Sequence, residues 1–343
     1  MRRWASASFA PALALLLTGC ATAVYRPVPE HPHPLPPPAL TQHLADLAKG
    51  FEGKVGIAVE DVDSGWIAAV DGQTLYPQQS VAKLWVGLAV MDGVDRGLMS
   101  LADPVTVRSS DMSVFNQPMQ AKLVDDGYDT TIDGLLVWAI ARSDNAANDI
   151  LIRRLTGGWA VRRALKERGL DAIRAGEPEW KLEAEVAGLD WRSEYSFGQA
   201  FWTARDRVPM DRRQALLDAY VADPADGASP IAIVDGLARL KRGELLKPAS
   251  TTHLLQLLAQ TDTGPLRLKA GLGRGWTIAH KTGTGQDLKD ETTGYNDVGL
   301  ITAPDGRAYA VAVMIAATRR PIPERQDLMA AVTRAVVAEH DGR

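Results

Sequence analysis

Tyr76-Pro77-Gln78-Gln79-Ser80-Val81-Ala82-Lys83-Leu84-Trp85 is the stretch from which the rest of the chain is read. Pro77 suits the first turn of a helix, where its missing N–H goes unused. Val81, Leu84, Trp85, Val86, Leu88, Ala89, Val90 and Met91 then make the chain apolar on every side, the pattern of a buried helix. Ser80 and Lys83 fall one turn apart on one face. A lysine at the mouth of such a helix is costly to desolvate without a partner. Two readings of the pair follow. An amine beside a hydroxyl can activate a serine nucleophile, and a helix N-terminus favours negative charge developing beside it. Alternatively the turn is ordinary and Lys83 snorkels to solvent.

Working outward, Val55, Ile57 and Val59 alternate, as do Trp66, Ala68 and Val70, with Asp63-Ser64-Gly65 as a turn between them. This is a hairpin leading into the Ser80 helix. Before it, Leu40, Leu44, Leu47 and Phe51 recur at helical spacing. After it, residues 96–270 are mostly helical in pattern. Ile132 to Ala141 reads as a buried helix ending at Ser143, and Ala146 to Leu155 as another stopped by Gly157-Gly158. Beyond Gly271 the period returns to strands at 276–280, 298–301 and 309–316, and residues 327–338 close the chain as a helix. The expected fold is therefore α+β: an antiparallel sheet built from both chain ends (40–75 and 271–343), flanked by helices, with an inserted all-helical part (76–270).

The first forty residues have a different character. Arg2 and Arg3 precede the apolar run Ala10 to Leu17, which ends in Leu17-Thr18-Gly19-Cys20. This reads as an export signal over 1–20. It resembles a bacterial lipoprotein signal, in which the cysteine is lipidated and becomes the new N-terminus. Cys20 is the one cysteine in the chain, so the domain has no intramolecular disulfide. Residues 21–39 are rich in proline and form a semi-rigid spacer. His31 and His33 within it are read as idle, and no metal site or cofactor is expected. Acidic residues outnumber basic ones by 42 to 38, with no basic–aromatic cluster, which argues against nucleic acid as a partner. The expectation is an exported protein held at a bacterial membrane through Cys20, on its periplasmic side, and acting as a monomer.

Three short motifs occur in order: Ser80-x-x-Lys83 at the mouth of a buried helix, Ser143-Asp144-Asn145 in a break between helices, and Lys281-Thr282-Gly283 on a strand, followed by Thr284. Their order and their elements matter more than any single match. With them, the chain resembles the serine β-lactamase and penicillin-binding protein superfamily, and most closely class A β-lactamases, over residues 40–343. Gly271 to Trp276, just ahead of the Lys281 strand, adds support.

The resemblance implies a serine hydrolase that opens β-lactam rings through an acyl-enzyme on Ser80. Lys83 would accept or relay the serine proton, and Ser143 would pass a proton to the leaving nitrogen. Asn145, Lys281, Thr282, Gly283 and Thr284 would bind substrate, Asn145 at an amide and Lys281, Thr282 and Thr284 at its carboxylate. The backbone N–H groups of Ser80 and Thr284 would make the oxyanion hole. Deacylation needs a glutamate, and in Gly176-Glu177-Pro178-Glu179-Trp180-Lys181 the resemblance assigns Glu177 as base for the attacking water. The asparagine that follows it in the family is Lys181 here, and Glu179 or Glu183 stand nearby as alternatives. The aromatic-bearing segment 182–228 reads as an added helical layer with a small core, as an aromatic wall over the site, or as an edge that binds peptidoglycan. His280 reads as structural. No Gly-x-Ser-x-Gly elbow, His-Glu-x-x-His or phosphate loop is present. The alternatives to a β-lactamase are a D,D-peptidase or esterase acting on peptidoglycan stems, or a penicillin-binding sensor that stays acylated.

Overall fold

Alternation of side chains across extended backbone decides the centre of the molecule. The computed structural model of the protein describes Met1 and residues 34–342; the signal segment, Cys20 and most of the proline-rich stretch lie outside the described residues. Five antiparallel strands form the main sheet in the order Ile67–Val70, Lys54–Asp61, Ala308–Ala317, Tyr295–Thr302 and Thr277–Thr284. The first two come from the N-terminal hairpin and the other three from the C-terminal part, as the sequence pattern implies.

Each central strand feeds two cores. Ile57, Val59, Val311, Val313 and Ile315 point to one face, where they meet Leu40 and Leu44 of the helix Pro38–Gly50 and Leu328, Met329 and Val332 of the helix Ile322–Asp341. Ala58, Ala310, Ala312 and Ala316 point to the other. Small side chains there let the helical part approach closely. At Gly56 the approach leaves no room for a side chain, since a Cβ would lie 2.6 Å from the Tyr76 ring and 2.7 Å from Pro230.

The helix Ala82–Asp95 runs through the second core, and every residue from Lys83 to Gly93 is buried. Its mouth differs from expectation. Tyr76–Pro77 is a two-residue strand paired with Gly227–Ala228, so Pro77 does not occupy the first helical turn. The helix opens two residues later with a 3₁₀ turn at Gln79–Val81, and Gln79 has φ +54°. The cause is tertiary: Asp226 accepts the Gln79 N–H at 2.6 Å and holds the chain in this conformation.

Residues 182–228 form the helices Ala200–Asp206 and Met210–Ala222, packed with Glu179–Ala187. Two small cores sit among them. One is Leu182, Val186, Leu217, Tyr220 and Leu288; the other is Val114, Ala187, Tyr195 and Phe201. Among the described residues no helix is long and apolar enough to cross a membrane.

Candidate active site

Lys83 is the hub. Its ammonium donates to Ser80 Oγ at 2.6 Å and to Asn145 Oδ1 at 2.7 Å, and pairs with Glu179 Oε1 at 2.9 Å. An ammonium has three donors, and here each meets an oxygen. That answers the desolvation problem posed by a lysine only 1 % exposed, and it rules out snorkelling.

The second wall is the Ser143-Asp144-Asn145 turn. A π-helical turn at Val137–Ala141 ends the preceding helix, and Ser143 is held at φ +57°. A left-handed backbone is uncommon for serine and needs support. Asn116 supplies it, donating from Nδ2 to the carbonyls of Arg142 and Ser143 while accepting the Asn145 N–H. Asp144 caps the next helix, Asn145–Arg154, accepting from Ala147 N–H, and its second oxygen takes the Met119 N–H. Asn145 is thereby fixed, with Oδ1 on Lys83 and Nδ2 on the Val114 carbonyl at 2.7 Å. One amide hydrogen remains for a ligand.

The third wall is the edge strand Thr277–Thr284. Lys281 is fully buried and donates to Ser143 Oγ at 2.9 Å and to the Thr282 carbonyl at 3.1 Å. Burial, reinforced by the charge of Lys83, pushes its pKa well below the usual lysine range. Gly283 packs directly on the serine turn: a Cβ would stand 2.3 Å from the Gln78 carbonyl oxygen. The absence of a side chain there lets the strand lie directly against Gln78 and Gln79, the residues that lead into Ser80. Arg267, which sequence reading did not single out, holds this edge in place. Its guanidinium donates to the Gly283 and Asn296 carbonyls and to Thr284 Oγ1, and lies 3.8 Å from the Tyr295 ring centroid. Thr282 Oγ1 meets Thr263 Oγ1 at 2.6 Å.

A scan against family models matches residues 39–340 to the "Beta-lactamase enzyme family". The chain belongs to that family. The extended-spectrum β-lactamase PER-1 of Pseudomonas aeruginosa is 27 % identical over 281 residues, covering 81 % of this chain and 80 % of that one. A β-lactamase of Rhodobacter capsulatus is 25 % identical over 303 residues, covering 88 % and 89 %. Among solved structures, an ancestral class A β-lactamase is 29 % identical with a TM-score of 0.70, covering 88 % and 99 %. The resemblance to class A thus extends from the motifs to the whole fold.

Within this β-lactamase fold, one sequence assignment requires correction. Glu177 makes no ion pair with Lys83. Its carboxylate is held by Lys181 at 2.8 Å and Arg162 at 3.4 Å, both half-open to solvent. Glu179, two residues on and 6 % exposed, occupies the place expected of Glu177. The reason is the start of the helix Glu179–Ala187. Asp149, on the neighbouring helix beyond Asn145, accepts the Glu179 N–H at 2.7 Å and the Trp180 N–H at 3.4 Å. This cap turns Glu179 inward to Lys83 and leaves Glu177 in the extended approach outside. Lys181, expected beside the base, instead pairs outward with Glu177 and Glu185.

Sequence reading named Glu179 and Glu183 as alternatives to Glu177 but did not single out Asp149 or Asp226, the other acids behind the hub. Asp149, Glu179, Glu183 and Asp226 are all less than a tenth exposed. Burial raises Asp149 to about 7, with the Glu179 charge adding to it, and raises Asp226 to about 6. His280 is buried as expected, with Nδ1 on Asp297 at 2.8 Å. Among the described residues no group of three His, Cys, Asp or Glu side chains is arranged to hold a metal ion.

Proposed function

We infer that this protein is a serine β-lactamase that turns its substrate over through an acyl-enzyme on Ser80. The supporting observation is the single ammonium that touches both the nucleophile and a second, buried carboxylate. Lys83 passes one proton to Glu179 and, as the neutral amine, takes up the proton leaving Ser80, without either side chain having to move. Ser80 Oγ attacks the ring carbonyl, the C–N bond breaks, and the nitrogen takes a proton from Ser143, which takes a replacement from Lys281. Low pKa at Lys281 suits a group that must exchange protons rather than merely hold charge. In the second half, water attacks the ester carbonyl. Glu179, its first proton returned through solvent to the Lys281 side, takes the water's proton, the C–O bond to Ser80 breaks, and Oγ is reprotonated by Lys83, which recovers that proton from Glu179. Thr282, Thr284 and Arg267 offer hydroxyl and cationic contacts to a substrate carboxylate, and the remaining hydrogen of Asn145 suits a substrate amide.

The test is intact mass against time after mixing the purified domain with benzylpenicillin. A transient adduct on Ser80 is expected. An adduct that persists would overturn turnover and leave a sensor or peptidase; no adduct would overturn serine chemistry.

Residues 1–20 with Cys20 support export and lipid attachment on the periplasmic side of a bacterial membrane. Cys20→Ser should move the protein from the membrane pellet to the soluble fraction, and continued sedimentation would remove the anchor from the account.

A further inference from the structure

The four buried acids are not equally provided for. Glu179 has Lys83. Asp149 accepts from the Glu179 and Trp180 N–H groups and from Ser113 Oγ. Asp226 accepts from the Gln79 N–H and the Tyr220 hydroxyl. Glu183 has no ion pair, and one side-chain donor, Gln286 Nε2, reaches its Oε2 at 2.6 Å. The same Nε2 is shared with the Glu183 backbone carbonyl at 2.9 Å. Gln286 Oε1 is itself buried without a partner, so this corner has acceptors to spare and too few donors. A carboxylate so poorly solvated, one helical turn from Glu179, is the member of the cluster that must keep its proton.

We propose that Glu183 works as a neutral acid and is a positioning residue for deacylation, its ionisation setting the alkaline limit of turnover. The inference rests on the reading of Glu179 as the water's proton acceptor. While Glu183 is neutral, Glu179 is the one carboxylate drawing on Lys83, and the ammonium stays between Ser80 and Glu179. Once Glu183 ionises, a second negative charge one turn away competes for Lys83 and disturbs that geometry. The groups facing Glu183 agree in direction. Glu179 on its own helix and Asp226 from the loop before Gly227 favour the proton; Gln286 and Lys83 oppose it; burial outweighs them, and the Glu183 pKa rises to about 8. Tyr220 is occupied by Asp226 and Gln79, and Arg205 donates to the Asp287 carbonyl.

The experiment is kcat and the acyl-enzyme decay rate with benzylpenicillin between pH 6 and 9.5, in the parent, Glu183→Gln and Gln286→Leu. Glutamine keeps the shape of the neutral acid but cannot ionise. With a limb near pH 8, the parent at pH 9 should fall about tenfold below its plateau, while Glu183→Gln stays level and matches the parent at pH 6 to 7. Gln286→Leu removes the one side-chain donor and should move the limb to higher pH, giving a second reading should the first variant fold poorly. A limb that stays in place in both variants would assign it to another group such as Lys281 and overturn the inference. So would a parent with no alkaline limb, or a Glu183→Gln enzyme that is slow at every pH. A parent that forms no adduct refutes the hydrolase reading and this inference with it. A parent that acylates and turns over with an unmoved limb refutes this inference alone.

Discussion

Glu179→Gln separates the two halves of the reaction. The substitution keeps an oxygen for Lys83 but removes the charge and the basicity. At 2.9 Å the pair has a gross attraction of about 6 kcal/mol with an effective dielectric constant of ~20. Desolvation offsets much of this, so the stability loss should be about 3 kcal/mol, the lower end for breaking a buried pair, because glutamine still accepts one hydrogen bond. The kinetic loss is larger in consequence. Loss of a general base costs about a hundred- to ten-thousand-fold, or ~3–5 kcal/mol of barrier. It should fall mainly on deacylation: without the Glu179 charge Lys83 more readily becomes the neutral amine and takes the Ser80 proton itself, whereas the attacking water has no other base. Glu177→Gln is the control: its partners are exposed, such pairs contribute about 0–1 kcal/mol, and neither rate nor stability should change. Intact-mass decay of the benzylpenicillin adduct, read with thermal unfolding, measures both. An acyl-enzyme that decays at the parental rate in Glu179→Gln, or one that accumulates in Glu177→Gln, would refute the reasoning and return the role to Glu177.

Three further outcomes are expected. Ser80→Ala should form no β-lactam adduct while melting close to the parent, and a labelled adduct elsewhere would remove Ser80 as nucleophile. Gly283→Ala should cost several-fold or more in acylation rate and lower Tm, because its Cβ would meet the Gln78 carbonyl at 2.3 Å, a backbone atom that cannot swing aside. Stability should fall as pH rises from about 5 to 8: Asp149, Asp226 and Glu183 have pKa values raised on folding, so the native state binds more protons than the unfolded chain in that window. Thermal melting across pH 5 to 9 checks the sign, and Asp149→Asn should flatten the slope.

Much of this was legible from the residues because it is local. Ser80 and Lys83 meet because three positions make nearly one helical turn, and the buried run after them says that the turn opens into a core. Ser143-Asp144-Asn145 carries its own signal, since Asp144 is a helix cap and a cap fixes what stands beside it. The sheet from both chain ends follows from period-two alternation in Val55 to Val59 and Tyr309 to Ala316. What the sequence left open was contact between distant parts. Pro77 lies in a strand because Gly227 and Ala228 pair with it and Asp226 holds Gln79. Glu177 and Glu179 both flank Pro178, and nothing within that hexapeptide says which turns inward. Asp149 decides it, thirty residues earlier, by capping the helix at Glu179. Arg267 and Asp226 were silent for the same reason: a charged residue reads as solvated surface until the fold buries it, and burial is a property of the neighbours that only tertiary structure assembles.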